Sequence, residues 1–112
     1  MNWINLTEES QLSELIEKSN TTPQAIYKHS TRCSVSSVVL QRLKSSKDDQ
    51  HLNIYYLDLF QYRSLSNKVS EVFNEHHESP QILLIKDGKC VYAESHMSIT
   101  PKDLINEAAL AA

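Results

Sequence analysis

Hydrophobic positions along this chain alternate between a period near 3.6 and extended runs, with a polar cluster at each change. Residues 3–6 open with Trp3, Ile4 and Leu6 in a short extended segment. Thr7 followed by Glu8 and Glu9 reads as a helix start, a hydroxyl cap with acids at the positive end of the dipole. Leu12, Leu15 and Ile16 supply that helix with an apolar stripe, which fades near Asn20. After Pro23, residues 24–29 carry Ala25, Ile26 and Tyr27 in a strand closed by a polar turn at 30–32. From Cys33 the spacing is helical again, with Val35, Val38, Val39, Leu40 and Leu43 on one broad face up to the polar cluster 44–50. Residues 52–60 are nearly continuous in Leu, Ile and Tyr, as in a strand covered on both faces.

Leu65, Val69, Val72, Phe73 and His76 predict a third helix over 62–76. Ser79-Pro80 then precedes the apolar run 82–85, and Asp87-Gly88 separates that run from a second one at 90–93, a short-range hairpin signal. Thr100 caps a last helix with Pro101 at its first position, Asp103 in its first turn, and Leu104, Ile105 and Ala108 inward. The order β-α-β-α-β-α-β-β-α predicts an α/β fold, and 112 residues without linker or repeat predict one domain, 1–112. Tyr55, Tyr56, Tyr62 and Phe73 are expected in the core between sheet and helices rather than on a stacking platform.

Composition removes several function classes. Apolar residues at 40% and charged residues at 22% suit a soluble globular domain. Eleven basic against fourteen acidic residues leave a formal charge of -3, without the basic footprint of a nucleic-acid binder. Gly88 is the only glycine, so neither a Rossmann fingerprint nor a Walker A loop is present. No apolar run approaches membrane-helix length and the N-terminus lacks a basic segment leading into an apolar one, so no membrane partner and a cytoplasmic location are expected. His29, His51, His76, His77 and His96 show no zinc-type spacing, and no metal is expected.

The candidate chemistry lies at Cys33, where a strand hands over to a helix, the end of an open α/β sheet at which ligands bind. Helix-start amides stabilise an anion there, and Arg32, Lys28 and His29 add positive charge or tuning, so Cys33 is expected to carry thiolate character. In Cys33-Ser34-Val35-Ser36 a serine occupies the second position of a redox dithiol motif. At helical spacing Ser36 can offer the sulfur a hydroxyl but cannot close a disulfide. Cys90, one strand length away at the far end of the sheet, is expected to be a bystander, since a six-residue strand spans about 20 Å and bridged Cα atoms lie within about 7 Å.

Residues 27–36 (YKHSTRCSVS) together with 79–92 (SPQILLIKDGKCVY) resemble the monothiol bacilliredoxin family, YtxJ-like proteins of the bacillithiol system, over nearly the whole chain. The resemblance implies a thioredoxin-like three-layer fold with a central mixed sheet, and a cis peptide bond at Pro80 beside the active sulfur. It also implies removal of bacillithiol from S-bacillithiolated proteins, with Cys33 at the active position of the family's T-C-P-I-S motif. Here Ser34 replaces the motif's proline and Arg32 its preceding threonine, while Thr31 and Ser36 remain. The expected site is then Cys33 as nucleophile, with Thr31, Arg32, Ser36, Ser79 and Pro80 holding substrate and Lys28 and His29 tuning it. No bound cofactor is expected. The resemblance also implies bacillithiol as thiol co-substrate, with bacillithiol or a thiol reductase expected to regenerate the sulfur. A non-catalytic thioredoxin-fold binding module and a thiol peroxidase are the alternative readings.

Overall fold

The computed structural model describes residues 1–47 and 51–112. The end of the expected polar cluster 44–50 lies outside the described residues. In chain order the elements are β1 (Asn2–Asn5), α1 (Glu9–Lys18), β2 (Gln24–His29), α2 (Ser34–Lys44), β3 (Asn53–Asp58), α3 (Arg63–Phe73), β4 (Gln81–Lys86), β5 (Lys89–Ser95), a 3-10 turn (His96–Ser98) and α4 (Pro101–Ala111). The sheet order is β1-β3-β2-β4-β5. The first three strands run parallel, and β4 and β5 run antiparallel to their neighbours.

Side-chain alternation along the strands divides the interior into two layers. Ile26, Leu57, Leu83 and Ile85 face one side and pack with Leu12 and Leu15 of α1 and Leu65, Val69 and Phe73 of α3. Ala25, Tyr27, Ile54, Ile82 and Leu84 face the other and pack with Val39 and Leu43 of α2 and Leu104 and Ala108 of α4. Helices on both faces explain why all of β2, and all of β4 but Lys86, is buried, polar positions included. Of the four aromatics expected in the core, Tyr55 and Phe73 are buried, and Tyr62 and Tyr56 are partly buried against the two layers.

Four local expectations change. The α1 cap is Glu8 rather than Thr7, because Gln11 reaches back to accept from the Glu8 and Thr7 amides at 3.1 and 2.8 Å and sets up a capping box one residue later. The opening strand ends at Asn5, although Leu6 beyond it is fully buried. On α2 the inward positions are Ser36, Val39 and Leu43, so Val38 falls off the stripe and is 51% exposed. The third helix stops at Phe73, because Asn74 adopts a left-handed φ of 53° and closes it, leaving His76 outside.

Register carries the geometry to the site. Lys28 of β2 pairs with Gln81 of β4, and Gln81 pairs with Ser95 of β5. The residues following β2, those preceding β4 and those following β5 therefore meet at one pole of the sheet. At the opposite pole Asp87 and Gly88 both have positive φ, 54° and 74°, the mirror-image turn that an Asp-Gly pair favours.

Candidate active site

Cys33 is the N-cap of α2, with extended backbone at φ -110° and ψ 116°. Its amide donates to Ser30 O at 3.2 Å, so the tight turn through Thr31 and Arg32 delivers it to the helix mouth. The first-turn amides of a helix have no intrahelical acceptor, and positive dipole charge gathers there. Cys33 is a free, half-buried cysteine, so its sulfur lies at the surface pole rather than in either core layer. Thr31 and Arg32 are exposed beside it.

Pro80 stands at the same pole. The Ser79-Pro80 bond is cis, as the resemblance implied. Pro80 O accepts from the His96 amide at 3.0 Å, which ties the proline to the segment after β5. The Ser79 hydroxyl is buried and has no hydrogen-bond partner among the described residues.

Ser36 departs from expectation. It is fully buried, and its hydroxyl oxygen accepts from the Ser30 amide at 3.0 Å and lies 2.9 Å from His29 Nδ1. Among the described residues no hydrogen bond joins it to the Cys33 sulfur; the hydroxyl is engaged by the turn that holds the cysteine. Tyr27 Oη reinforces this by donating to Ser36 O at 2.8 Å. Burial pushes the Tyr27 phenol up to about 12, so it stays a donor at neutral pH.

His29 is buried beneath the turn, its ring 5.3 Å from that of Tyr56 and 6.1 Å from that of Tyr27. Burial lowers its pKa and Asp58 opposes that shift, so the neutral ring is favoured. A neutral Nδ1 can accept from the Ser36 hydroxyl while that oxygen accepts from Ser30 N–H, which satisfies all three groups.

Lys28 is the other departure. Strand alternation turns it away from Tyr27 and α2, towards α3. Its fully buried ammonium donates to Ser66 O at 3.0 Å and Ser70 Oγ at 2.6 Å, and lies 3.2 Å from His77 Nδ1. All three ammonium donors are thus engaged, and the charge is not free to neutralise a thiolate leaving at Cys33. Burial drives Lys28 down to about 8. His77 is lowered by burial and then by the Lys28 charge, so it accepts as a neutral ring. Lys28 therefore reaches the site only through His77, three residues before Pro80.

Sequence reading did not single out Tyr27, Phe60, His77 and His96 for the site. Phe60 carries the Arg32 guanidinium over its ring at 4.7 Å and that of Arg63 at 5.7 Å. No periodicity marks such residues, because each acts through a partner distant in sequence. Cys90 lies where expected, paired with Ile85, whose partner on β2 is Gln24 at the pole away from Cys33. Its sulfur donates to Tyr92 O at 3.3 Å, and burial, followed by the Glu75 charge, pushes its thiol up to about 11. No group of three or more His, Cys, Asp or Glu among the described residues is placed to hold a metal ion.

A mixed five-stranded sheet flanked by helices, with a half-buried cysteine at a helix mouth and a cis-proline at the same pole, has the architecture of a thioredoxin fold. The model of the family "Monothiol bacilliredoxin BrxC" matches residues 4–104, and the chain belongs to that family. Among solved structures, a candidate oxidoreductase with a thioredoxin fold is 27% identical with a TM-score of 0.82, over 93% of this chain and 91% of that one. Reduced thioredoxin pre-protein of Schistosoma mansoni has a TM-score of 0.77 at 13% identity, and thioredoxin of Fasciola hepatica 0.73 at 17%, each covering 100% of both chains. Family and fold together support a thiol oxidoreductase-like role. No helix of the described residues is long and apolar enough to cross a membrane.

Proposed function

We propose that this chain, acting as one domain in the cytoplasm, is a monothiol thiol-disulfide oxidoreductase that removes bacillithiol from S-bacillithiolated proteins. The Cys33 thiolate attacks the bacillithiol sulfur of the protein mixed disulfide. That disulfide breaks, its electron pair leaves on the protein's thiolate, and a Cys33–bacillithiol disulfide forms. A second bacillithiol thiolate, or a thiol reductase, then attacks the adduct and returns Cys33 to its reduced form. The oxidising equivalents leave as bacillithiol disulfide or on the reductase. No bound metal or nucleotide enters the cycle.

The observation that carries this reading is the position of Cys33 at the α2 mouth, on the pole that also holds cis-Pro80. In the proposed site Ser79 and Pro80 offer backbone to the incoming disulfide. Thr31 and Arg32 flank the adduct. Ser36 and His29 hold the turn that presents the sulfur, and Lys28 tunes the site from below through His77.

The test incubates a bacillithiolated protein with the reduced chain and bacillithiol, following adduct release by mass spectrometry. Release by the wild type and none above background by Cys33→Ser is expected. Equal release by both, or none by either, rejects the proposal, and a stable complex without release identifies a binding module instead.

A further inference from the structure

Two guanidiniums converge on one aromatic ring, and one of them belongs to the residue before Cys33. The Arg32 Cζ lies 4.7 Å and the Arg63 Cζ 5.7 Å from the centroid of the same Phe60 ring. Neither arginine takes part in an ion pair among the described residues. Both are exposed, and Phe60 between them is 39% exposed, so the ring and both cations are open to solvent. Stacking fixes each planar cation against the ring and leaves its N–H edge free for a planar anion.

The location supplies a second observation. Arg32 is covalently next to Cys33, so whatever is disulfide-bonded to that sulfur lies within reach of its guanidinium. Phe60 and Arg63, though not Arg32 or Cys33, also line a cleft of about 440 Å³ together with Thr7, Gln61 and Ser64. Of the nearby acids, Asp58 is engaged, its Oδ1 accepting from the Phe60 and Gln61 amides at 3.1 and 3.4 Å. Glu9 also lines the cleft and offers an acceptor for an amine.

We infer that Arg32, Phe60 and Arg63 form a subsite for a carboxylate of the low-molecular-weight thiol carried on Cys33, so that the protein selects acidic, amino-acid-derived thiols over neutral or cationic ones. The inference rests on the thiol-transfer reading above and adds its specificity element. The chemistry is unchanged: Cys33 thiolate displaces one thiolate from the small disulfide, and the guanidiniums hold the carboxylate of the half that stays.

The reduced full chain is reacted separately with oxidised glutathione, which is acidic, hydroxyethyl disulfide, which is neutral, and cystamine, which is cationic. The rate of adduct formation mapped to Cys33 is measured for each. The expected order is acidic, neutral, cationic. Arg63→Gln and Arg32→Gln should each lower the acidic-to-neutral rate ratio by about two- to fivefold, the scale of an exposed ion pair, and added salt should compress it in the wild type. A ratio unchanged in the double variant, or a wild type that does not favour the acidic disulfide, overturns the subsite while leaving thiol transfer standing. Absence of any Cys33 adduct from all three reagents overturns thiol transfer itself. A further arm uses neutral hydroxyethanethiol adducts on acidic and uncharged peptides. Charge discrimination in that arm alone assigns the carboxylate to the client and also overturns the subsite.

Discussion

Cys33 and Cys90 are both free and half-buried, yet the fold gives them different surroundings. Cys33 sits at a helix mouth, next to exposed cationic Arg32 and on the pole of cis-Pro80. Cys90 sits on β5, its sulfur turned to Tyr92 O, with Glu75 beside it and its thiol pushed up to about 11. Exposure alone would have ranked them equal. What separates them is their surroundings, a helix mouth beside a guanidinium at one pole, and burial with the Glu75 charge, which oppose the anion, at the other.

The comparison breaks most sharply on activity. Cys33→Ser should reduce adduct release by roughly three orders of magnitude or more, the scale of a lost nucleophile, while Cys90→Ser leaves release near the wild-type rate. A comparable loss in Cys90→Ser would show that the two thiols act together.

Alkylation is the next measure. With a pKa of about 11, Cys90 is thiolate at only about one part in ten thousand at pH 7, so iodoacetamide should label Cys33 well before Cys90 in peptide maps of the native chain. Equal labelling would refute the assigned environments.

The turn that presents Cys33 can be loosened without touching its sulfur. Ser36→Ala leaves the Ser30 amide and His29 Nδ1 without their buried partner and should cost about 1–3 kcal/mol in urea unfolding. Tyr27→Phe removes one donor to Ser36 O and should cost about 0.5–1.5 kcal/mol. A loss for Ser36→Ala no larger than for Tyr27→Phe would deny the serine its place at the centre of the turn.

The smallest effect is a slope. Lys28 has a folded pKa of about 8 against an ordinary 10.5, so above pH 8 the unfolded chain binds the extra proton and stability rises with pH. Cys90, raised from 9.0 to about 11, contributes the opposite slope above pH 9, because its folded thiol holds a proton that the unfolded one has lost. Urea midpoints should therefore rise between about pH 8 and 9 and flatten beyond, and Lys28→Met should remove the rise. A rise that survives that substitution would place the titration elsewhere.

The same contrast explains what was legible in the sequence. The order of elements, the bounds of β2, the Thr100 cap with its 3.2 Å bond from the Asp103 amide, and the Asp87-Gly88 turn all follow from local periodicity and turn chemistry. Cys33 could be placed at a strand-to-helix junction for the same reason. The partners of Ser36 and Lys28 could not, because a hydroxyl or an ammonium chooses among groups that only the folded chain brings together. Ser36 faces Ser30 and His29 rather than the sulfur, and Lys28 faces Ser66, Ser70 and His77 across 38, 42 and 49 positions of sequence. Phe60 was hidden in the same way, since two arginines from different segments make it a platform.

Position 36 is a serine, whose hydroxyl cannot open a disulfide, so in the proposed reaction no neighbouring thiol relieves Cys33. With no internal exit for an adduct on Cys33, its dwell time is set by encounters with thiols in the surrounding solution, so turnover should scale with their concentration. Such a domain idles when the reduced pool is depleted and resumes as it refills, a gauge that follows from one serine where a second thiol would stand.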